Sequence, residues 1–322
     1  MSVLVTGGAG FIGSHVCERL LSRGHSIVIV DSFDPFYDPA IKHRNLETVL
    51  ASGCVRLVIA DICDRDAVEE GIGEEKIDAI IHLAARAGVR PSLERPDDYV
   101  RTNVEGTVSM LEVARRRGVR PFVMGSSSSV YGDSTPVPFA EDVPAASPIS
   151  PYAATKRAGE LLCYTYAHLY GLSVVCLRLF TVYGPRQRPD LAIHKFARLM
   201  SAGKPIPFFG NGETERDYTY VDDIVDGIEA ALSWANAADP GAFENVNLGE
   251  STTTSLAHLV DLLSVELGVP ATLDRLPSQP GDVQRTFASV DKARSLLGYD
   301  PRTPMKEGIR RFVEWFRQQP IT

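Results

Sequence analysis

The chain has 322 residues, of which 44% are hydrophobic and 23% are charged, and its formal net charge is -8. This composition is typical of an ordinary soluble protein, and the length suits one large α/β domain or two smaller lobes. The negative charge and the lack of a lysine- and arginine-rich tract exclude a general nucleic-acid-binding role. No apolar run is long enough to span a bilayer, so we expect no membrane segment.

The cysteines indicate the redox compartment. They are scattered, odd in number and form no Cys-x-x-Cys pair, so they are expected to be buried thiols in a reducing compartment, and no metal site is expected. They are Cys17, Cys54, Cys63, Cys163 and Cys176. Because a strand-like run begins directly at the N-terminus, we expect no signal peptide and a cytoplasmic protein.

The first part of the chain has the pattern of a dinucleotide-binding unit. An apolar run at 2–6 predicts a buried parallel strand, and a helical pattern follows at 14–23. Between them the spacing Gly8-x-Gly10-x-x-Gly13 allows a tight turn, close approach of a pyrophosphate and a helix N-terminus that faces the phosphates. The second predicted strand, 26–30, ends at Asp31. A carboxylate there accepts hydrogen bonds from both ribose hydroxyls and repels a 2′-phosphate, which favours NAD over NADP.

Strands and helices continue to alternate, as a doubly wound parallel sheet requires. Further strands are predicted at 55–60, 77–83, 119–124 and 172–179, and the last of these is expected to close the sheet.

Several residues that follow these strands are candidate cofactor contacts. Asp61 and Ile62 come after the third strand, where they could reach the adenine. Ala84 and Ala85 come after the fourth strand, and small residues suit a backbone that passes close to a cofactor. Asn103 lies early in a predicted helix and is equally well explained as a capping amide or as a cofactor contact.

Two stretches carry candidate chemistry. Residues 126–129 are four serines at the carboxyl end of the fifth strand, where doubly wound sheets bind ligands, and a serine-rich turn would explain them equally well if Tyr152 and Lys156 did not follow. Tyr152 and Lys156 lie four residues apart at the start of a predicted helix, so they project from one face. An ammonium beside a phenol favours the phenolate, and we expect the pKa of Tyr152 to fall from its usual value of about 10. Such a tyrosine is a general acid/base for a hydroxyl group.

The Tyr152 and Lys156 pair is weak evidence by itself, because many amphipathic helices carry a core tyrosine and a surface lysine. The nucleotide motif and the serine cluster favour the catalytic interpretation.

The second half of the chain predicts a smaller lobe over the carboxyl ends of the strands. The composition changes to a turn-rich basic loop at 183–190, and helices mixed with short strands follow it. We expect residues 1–178 to form the dinucleotide-binding domain, with 217–250 returning to it. Residues 179–216 and 251–322 would then form the substrate lobe.

Together these motifs resemble the extended short-chain dehydrogenase/reductases, specifically the NAD-dependent sugar-nucleotide epimerases, and most nearly the UDP-glucuronate 4-epimerases. The resemblance covers nearly the whole chain. It is carried by TGGAGFIG (6–13), Asp31, HLAA (82–85), SSSSVYG (126–132), YAATK (152–156), FTVYGPRQRPD (180–190), RDY (216–218) and GDV (281–283).

The resemblance implies a Rossmann-type α/β fold, bound NAD and a transient oxidation of the sugar. Tyr152 would remove the proton of the sugar 4-OH while the C4 hydride moves to NAD, and the 4-keto sugar would turn over and take the hydride back. Ser127 would hydrogen-bond the 4-oxygen, and Lys156 would also hold the nicotinamide ribose. The implied cofactor-binding residues are Gly7, Gly10, Phe11, Ile12, Gly13, Asp31, Asp61, Ile62, Leu83, Ala84, Ala85, Asn103, Tyr152 and Lys156.

The resemblance also implies the substrate contacts. Arg216 would bind the pyrophosphate and Asp282 the uridine ribose, while Gln279 replaces an arginine that many relatives carry. Arg188, supported by Thr181, is the first candidate for the sugar 6-carboxylate, because a guanidinium binds a planar carboxylate with two hydrogen bonds. The alternative is a surface arginine in a polar loop, and Arg90 is a second candidate ligand.

The serine cluster separates the reactions within this family. The resemblance places an acidic residue after the catalytic Ser or Thr in dehydratases and in decarboxylases of the same uronate. Here Ser128 and Ser129 occupy those positions beside Ser127, as implied substrate contacts. Net epimerisation is therefore expected.

The expected substrate is a UDP-hexuronate, and the family commonly forms homodimers through the helices that follow strands four and five. Rival functions are a UDP-glucose or N-acetylhexosamine 4-epimerase, a UDP-glucuronate decarboxylase and a dehydrogenase that releases NADH. A dinucleotide-sensing protein without catalysis is also possible, although such a protein would usually have lost Tyr152 or Lys156.

Overall fold

The computed structural model describes residues 1–133, 135–277 and 284–319. The strands of the described chain are β1 (Ser2–Thr6), β2 (Ser26–Asp31), β3 (Val55–Ile59), β4 (Ala79–His82), β5 (Pro121–Ser127), β6 (Ser173–Leu179), β7 (Thr181–Tyr183), β8 (Ile206–Phe209), β9 (Glu215–Tyr220), β10 (Phe243–Leu248), β11 (Thr253–Ser255) and β12 (Leu273–Leu276). Seven of them form a central, fully parallel sheet with helices on both faces, in the order β10-β6-β5-β4-β1-β2-β3. The doubly wound parallel sheet expected from the sequence is confirmed.

The helices cover both faces of the sheet, which explains why most of its strands are continuous apolar runs. The helices are α1 (Phe11–Ser22), α2 (Pro39–Ala51), α3 (Arg65–Ile72), α4 (Val89–Glu94), α5 (Pro96–Val100), α6 (Gly106–Arg117), α7 (Pro151–Tyr170), α8 (Ala192–Ser201), α9 (Val221–Ala237), α10 (Leu256–Leu267), α11 (Asp291–Leu297) and α12 (Met305–Arg317). Buried residues of α1 and α9 form one core with alternate strand residues, and those of α3, α6 and α7 form the other. Among the described residues, no helix has the length and apolar character needed to cross a membrane.

The expectation that the sixth strand closes the sheet is wrong. Strand β10 pairs in parallel outside β6, from Phe243 opposite Val174 to Leu248 opposite Leu179. Its sequence, FENVNL, does not indicate a buried strand, because a glutamate and two asparagines interrupt the apolar pattern. The buried Asn247 donates to the carbonyl oxygens of Phe139 and Ser289. An unsatisfied buried amide would cost about 1–3 kcal/mol, and these bonds avoid that cost.

A second group of strands lies outside the large sheet. It comprises a three-stranded sheet, β11-β9-β7, and the parallel pair β12-β8. The chain leaves the large sheet after β6 and returns to it with α9 and β10. The proposed division into a dinucleotide domain and a substrate lobe, with the boundaries given above, stays a prediction.

Candidate active site

A cleft of about 530 Å³ lies at the carboxyl ends of the parallel strands. It gathers residues from the nucleotide motif, the serine cluster, the start of α7 and the loop after β7. Of the predicted site residues, it is lined by Gly7, Gly10, Phe11, Ile12, Gly13, Asp31, Asp61, Ile62, Leu83, Ala84, Ala85, Ser127, Ser128, Ser129, Tyr152, Lys156, Thr181 and Arg188. A second cavity of about 400 Å³ is lined by Arg90, Arg216 and, in common with the first, Thr181 and Leu191.

The nucleotide motif forms a cradle that only glycines permit. Gly7 has φ +72°, and a Cβ there would lie 2.7 Å from the backbone nitrogen of Ala84. A Cβ on Gly13 would lie 2.2 Å from the carbonyl oxygen of Gly7. Helix α1 begins immediately after Gly10, whose position has no side-chain cap. The first backbone N–H groups of α1 therefore suit an anion such as a pyrophosphate.

Asp31 is fixed at the end of β2 by the backbone. Its carboxylate accepts hydrogen bonds from the backbone nitrogens of Ala9 (3.1 Å) and Phe33 (2.8 Å), and Lys42 Nζ lies 3.5 Å away. Each oxygen keeps further acceptor capacity toward the cleft. The glycine cradle and this carboxylate together fit the pyrophosphate and ribose of a dinucleotide. Sequence reasoning missed Lys42, because nothing in its helix, α2, indicates a partner in β2.

Asn103 has a role that neither sequence interpretation foresaw. It lies in a π-helical turn, Arg101–Glu105, between α5 and α6, and such turns often occur at functional sites. Its amide accepts from the backbone nitrogen of Arg86 (2.8 Å), and donates to the Arg86 carbonyl oxygen (3.0 Å) and to the hydroxyl of Thr155 (3.0 Å). Asn103 thus joins the loop after Ala85 to α7, and it does not cap a helix. Its direct cofactor contact stays a prediction.

The proposed catalytic residues meet where α7 begins. Ser150 caps this helix by accepting from the backbone nitrogen of Ala153 (3.1 Å), and Pro151 is its first residue. Lys156 is buried, and its ammonium donates to the carbonyl oxygen of Gly125 (2.7 Å). An interaction with the Ser127 hydroxyl acts to lower the pKa of Tyr152, and both residues line one cleft with Lys156, so the serine, tyrosine and lysine of the sequence prediction do converge.

The hydroxyl of Ser127 has a defined direction. Its oxygen receives a hydrogen bond from the backbone nitrogen of Ser129 (3.2 Å) and another from the Ser129 hydroxyl (2.9 Å). A hydroxyl has two acceptor lone pairs and one proton. With Ser129 as the donor in both bonds, the Ser127 hydroxyl can donate its own proton toward Tyr152.

The pKa of Tyr152 does not follow the expectation from its lysine neighbour. Burial raises the pKa of Tyr152, while the Ser127 hydrogen bond and the charge of Arg188 act in the opposite direction. Burial lowers the pKa of Lys156 to about 8, opposed by neighbours that include Glu160. Desolvation therefore outweighs the neighbouring charges at both groups, and the protein alone does not prepare a phenolate.

Arg188 is a cleft residue and not a surface arginine. Its side chain is 16% exposed, and its guanidinium lies over the ring of Phe36 (5.3 Å to the ring centre). Its positive charge acts to lower the pKa of Tyr152. The guanidinium makes a two-point pair with Asp190, Nε to Oδ1 at 3.0 Å and Nη2 to Oδ2 at 2.7 Å. Sequence reasoning missed this partner, although a carboxylate two residues away was the available signal.

The remaining predicted substrate residues belong to the second cavity or lie outside the described residues. The guanidinium of Arg90 lies over the ring of Phe209 at 4.9 Å. Arg216 Nη1 donates to the carbonyl oxygens of Glu215 (2.9 Å) and Gln284 (3.4 Å). Asp282 and Gln279 are outside the described residues. Within the described ranges, no group of three or more His, Cys, Asp or Glu side chains is placed to hold a metal ion.

A glycine cradle and a strand-end carboxylate beside a Ser-Tyr-Lys set are typical of a dinucleotide-dependent enzyme that acts on a hydroxyl group. The chain belongs to the NAD dependent epimerase/dehydratase family, whose model matches residues 3–249. The family expected from the sequence motifs is confirmed.

Three proteins illustrate what this chain is similar to in sequence and structure. A UDP-glucuronate 4-epimerase from Thermodesulfobacterium geofontis is 41% identical over 316 residues, 98% of this chain and 96% of that one. The crystal structure of a UDP-glucuronic acid 4-epimerase from Bacillus cereus, in complex with UDP-glucuronic acid and NAD, has a TM-score of 0.90 at 35% identity and covers 99% of both chains. A UDP-glucose 4-epimerase from Thermotoga maritima, solved with UDP-glucose, gives a TM-score of 0.89 at 33% identity with the same coverage.

The pKa of Lys156 predicts an alkaline limit to activity. Because burial lowers this pKa to about 8, the ammonium is present below about pH 8 and is lost above it. The kcat/KM for the nucleotide-sugar substrate should therefore fall as the pH rises through about 8, as measured by a pH-rate profile from about pH 6 to about pH 10. Circular dichroism over the same range controls for unfolding. A flat profile to about pH 10 in folded protein would contradict the role of the Lys156 charge.

Proposed function

We propose that this chain is a UDP-glucuronate 4-epimerase, which interconverts UDP-glucuronate and UDP-galacturonate through a 4-keto intermediate with bound NAD. The observation that carries the proposal is the guanidinium of Arg188, which lines the same cleft as Tyr152 and Ser127. A cation at this place suits a sugar that carries a carboxylate. Curated relatives of the chain that cover nearly its whole length carry this activity in their names.

Each reacting group has a separate chemical role in the proposed reaction. When bound, NAD accepts the hydride from C4 of the sugar and returns it to either face. Tyr152 takes the proton of the 4-hydroxyl and gives it back, and Ser127 donates a hydrogen bond to the 4-oxygen as charge develops. The ammonium of Lys156 stabilises the phenolate and holds the nicotinamide ribose.

The 6-carboxylate needs an orientation as well as a counter-charge. A 4-keto uronate is a β-keto acid, and it loses carbon dioxide most readily when its carboxylate stands perpendicular to the ring. In the proposed complex the guanidinium edge that Asp190 leaves open holds the carboxylate near the ring plane, with Thr181 and the hydroxyls of Ser128 and Ser129 nearby. The two serines also provide no carboxyl group to assist elimination, which disfavours the decarboxylase and dehydratase alternatives.

The second cavity is the proposed site of the UDP moiety. It meets the first cavity at Thr181 and Leu191, so a nucleotide there can present its sugar to Tyr152. Arg216 and Arg90 supply positive charge for the diphosphate. The uridine-ribose contact of Asp282 rests on the sequence motif alone.

A neutral-sugar 4-epimerase is the second candidate. The match to the UDP-glucose 4-epimerase of Thermotoga maritima is nearly as good as that to the Bacillus cereus enzyme, so the fold does not separate the two activities. Arg188 favours the uronate, because a buried guanidinium gains more from a carboxylate than from a hydroxymethyl group.

We further propose a homodimer formed through α6 and α7. Helix α7 exposes several large apolar side chains, Leu161, Tyr164, Leu169 and Tyr170. Exposed apolar surface of this extent on one helix is typical of an interface. Light scattering should give twice the chain mass, and Tyr164→Glu should lower the measured mass to that of the monomer. A wild-type monomer would exclude the dimer.

All five cysteines are free thiols, which supports a cytoplasmic location.

The function is tested by following the anomeric proton signals of UDP-glucuronate by NMR, with purified protein and no added NAD. A steady approach to a mixture with UDP-galacturonate is expected, because NAD is regenerated in each turnover and should stay bound. Turnover of UDP-glucose with strong inhibition by UDP-glucuronate would transfer the assignment to the neutral-sugar epimerases. Absorbance gained at 340 nm would indicate a dehydrogenase, and no reaction after NAD is added would indicate a binding protein.

Arg188→Ala should lower kcat/KM for UDP-glucuronate by at least about 100-fold, since it removes a charge-assisted two-point contact. It should also release decarboxylated pentose products, detected by the same NMR assay. Arg188→Lys is the matched control, because it keeps the charge without the planar fork and should be intermediate. Wild-type kinetics for Arg188→Ala would remove Arg188 from the carboxylate site.

A further inference from the structure

Glu160 is a fully buried carboxylate one helical turn after Lys156 on α7. Its side chain has 0% exposure. Its oxygens accept hydrogen bonds from the hydroxyl of Ser126 (2.6 Å), from Arg178 Nε and Nη2 (both 2.9 Å) and from Arg157 Nη1 (2.9 Å). The side chain of Arg178 is also buried, with 2% exposure. Four charge-assisted bonds make this burial tolerable.

This carboxylate fastens α7 to the strand end that carries the catalytic serine. Three consecutive residues of β5 each interact with one residue of α7: Gly125 accepts from Lys156, Ser126 donates to Glu160, and the Ser127 hydroxyl acts to lower the pKa of Tyr152. Ser126 and Ser127 are adjacent in the chain, so fixing Ser126 to α7 also restrains the backbone from which Ser127 projects.

The same network holds the far end of the serine segment. Arg178 Nη1 donates to the hydroxyl of Tyr131 (2.9 Å), which ends the short 3-10 helix Ser128–Tyr131. The Tyr131 hydroxyl donates in turn to Oδ1 of the buried Asn247 on β10 (2.8 Å). Residues 126 and 131 are thus both tied, directly or through Arg178, to Glu160, and the segment between them carries Ser127 and Ser129.

A stability role alone is a weak explanation for this network. Apolar residues of similar volume usually stabilise a core as well as a buried ion pair does, whereas a fixed polar network restricts the core to one geometry. The bonds of Glu160 converge on the segment whose geometry the reaction needs. Positioning therefore explains the network better than stability.

We propose that Glu160 is a positioning residue, which acts through Ser126 and Arg178 to aim the hydroxyl of Ser127 at Tyr152 and the sugar 4-oxygen. Glu160 does not line the cleft and acts only through other residues. The proposal rests on the catalytic assignment of Tyr152 and Ser127 made above.

Ser126→Ala is the most selective test, because it removes one hydroxyl and leaves the Glu160–Arg178 pair in place. We expect kcat to fall on the order of tenfold, since small errors in alignment are costly to catalysis. The KM for UDP-glucuronate and the content of bound NAD should stay within about twofold of wild type. Ser126→Thr keeps the hydroxyl and should restore kcat. Glu160→Gln weakens the links to Ser126 and Arg178 together and should lower kcat further.

Tyr166→Phe is the matched control. It removes a hydrogen bond to Glu112 (2.8 Å) from the same helix, away from the cleft, and should leave kcat unchanged. A wild-type kcat for Ser126→Ala overturns the proposal. So does a loss of kcat that is accompanied by equal losses in NAD content and thermal stability, because that pattern indicates a structural role.

Tyr152→Phe separates failure of the proposal from failure of the catalytic assignment. If this variant is inactive while Ser126→Ala is normal, the catalytic assignment stands and the positioning role is wrong. If Tyr152→Phe retains wild-type activity, the assignment of Tyr152 is wrong, and the positioning role falls with it.

Discussion

The contact between α7 and the end of β5 is the interaction on which the site depends. It brings an acid/base candidate, a cation and a hydroxyl donor together from two elements that are 24 residues apart in sequence at their nearest ends, Ser127 and Pro151. The cofactor cradle lies on another strand, β1, so the large sheet sets the distance between cradle and reacting groups. The site therefore needs both the turn at Gly7 and Gly13 and the packing of α7. The parallel sheet holds these two parts at a fixed distance from each other.

Burial raises the pKa of Tyr152 and lowers the pKa of Lys156. It disfavours the charged form of each group, so Tyr152 is held as the phenol, while Lys156 keeps its ammonium only below about pH 8. A positively charged cofactor would add further charge in favour of the phenolate. On this view the site becomes competent only when the dinucleotide is present, which matches a family that is NAD dependent.

Much of the fold and the outline of the site could be predicted from the sequence, because both depend on local patterns. Strands β1 to β6 are apolar runs, and the glycine spacing and the Tyr152–Lys156 spacing are short-range signals. Strand β10 could not be predicted, because its buried Asn247 is satisfied by partners more than 40 residues away. The roles of Asn103 and Glu160 are hidden for the same reason, since each depends on contacts between separate elements.

Arg188 joins substrate recognition to acid/base chemistry. Its charge partly opposes the rise that burial causes in the pKa of Tyr152, and the same guanidinium is the proposed ligand of the sugar carboxylate. Asp190 already offsets part of this charge, and a bound carboxylate would offset more, so the help that Arg188 gives to the phenolate would decrease when a uronate binds. The stabilisation of the phenolate would then fall mainly to Lys156, Ser127 and the cofactor. An arginine tuned by Asp190 can thus bind an anionic sugar, while the reaction at C4 relies on groups that the substrate does not neutralise.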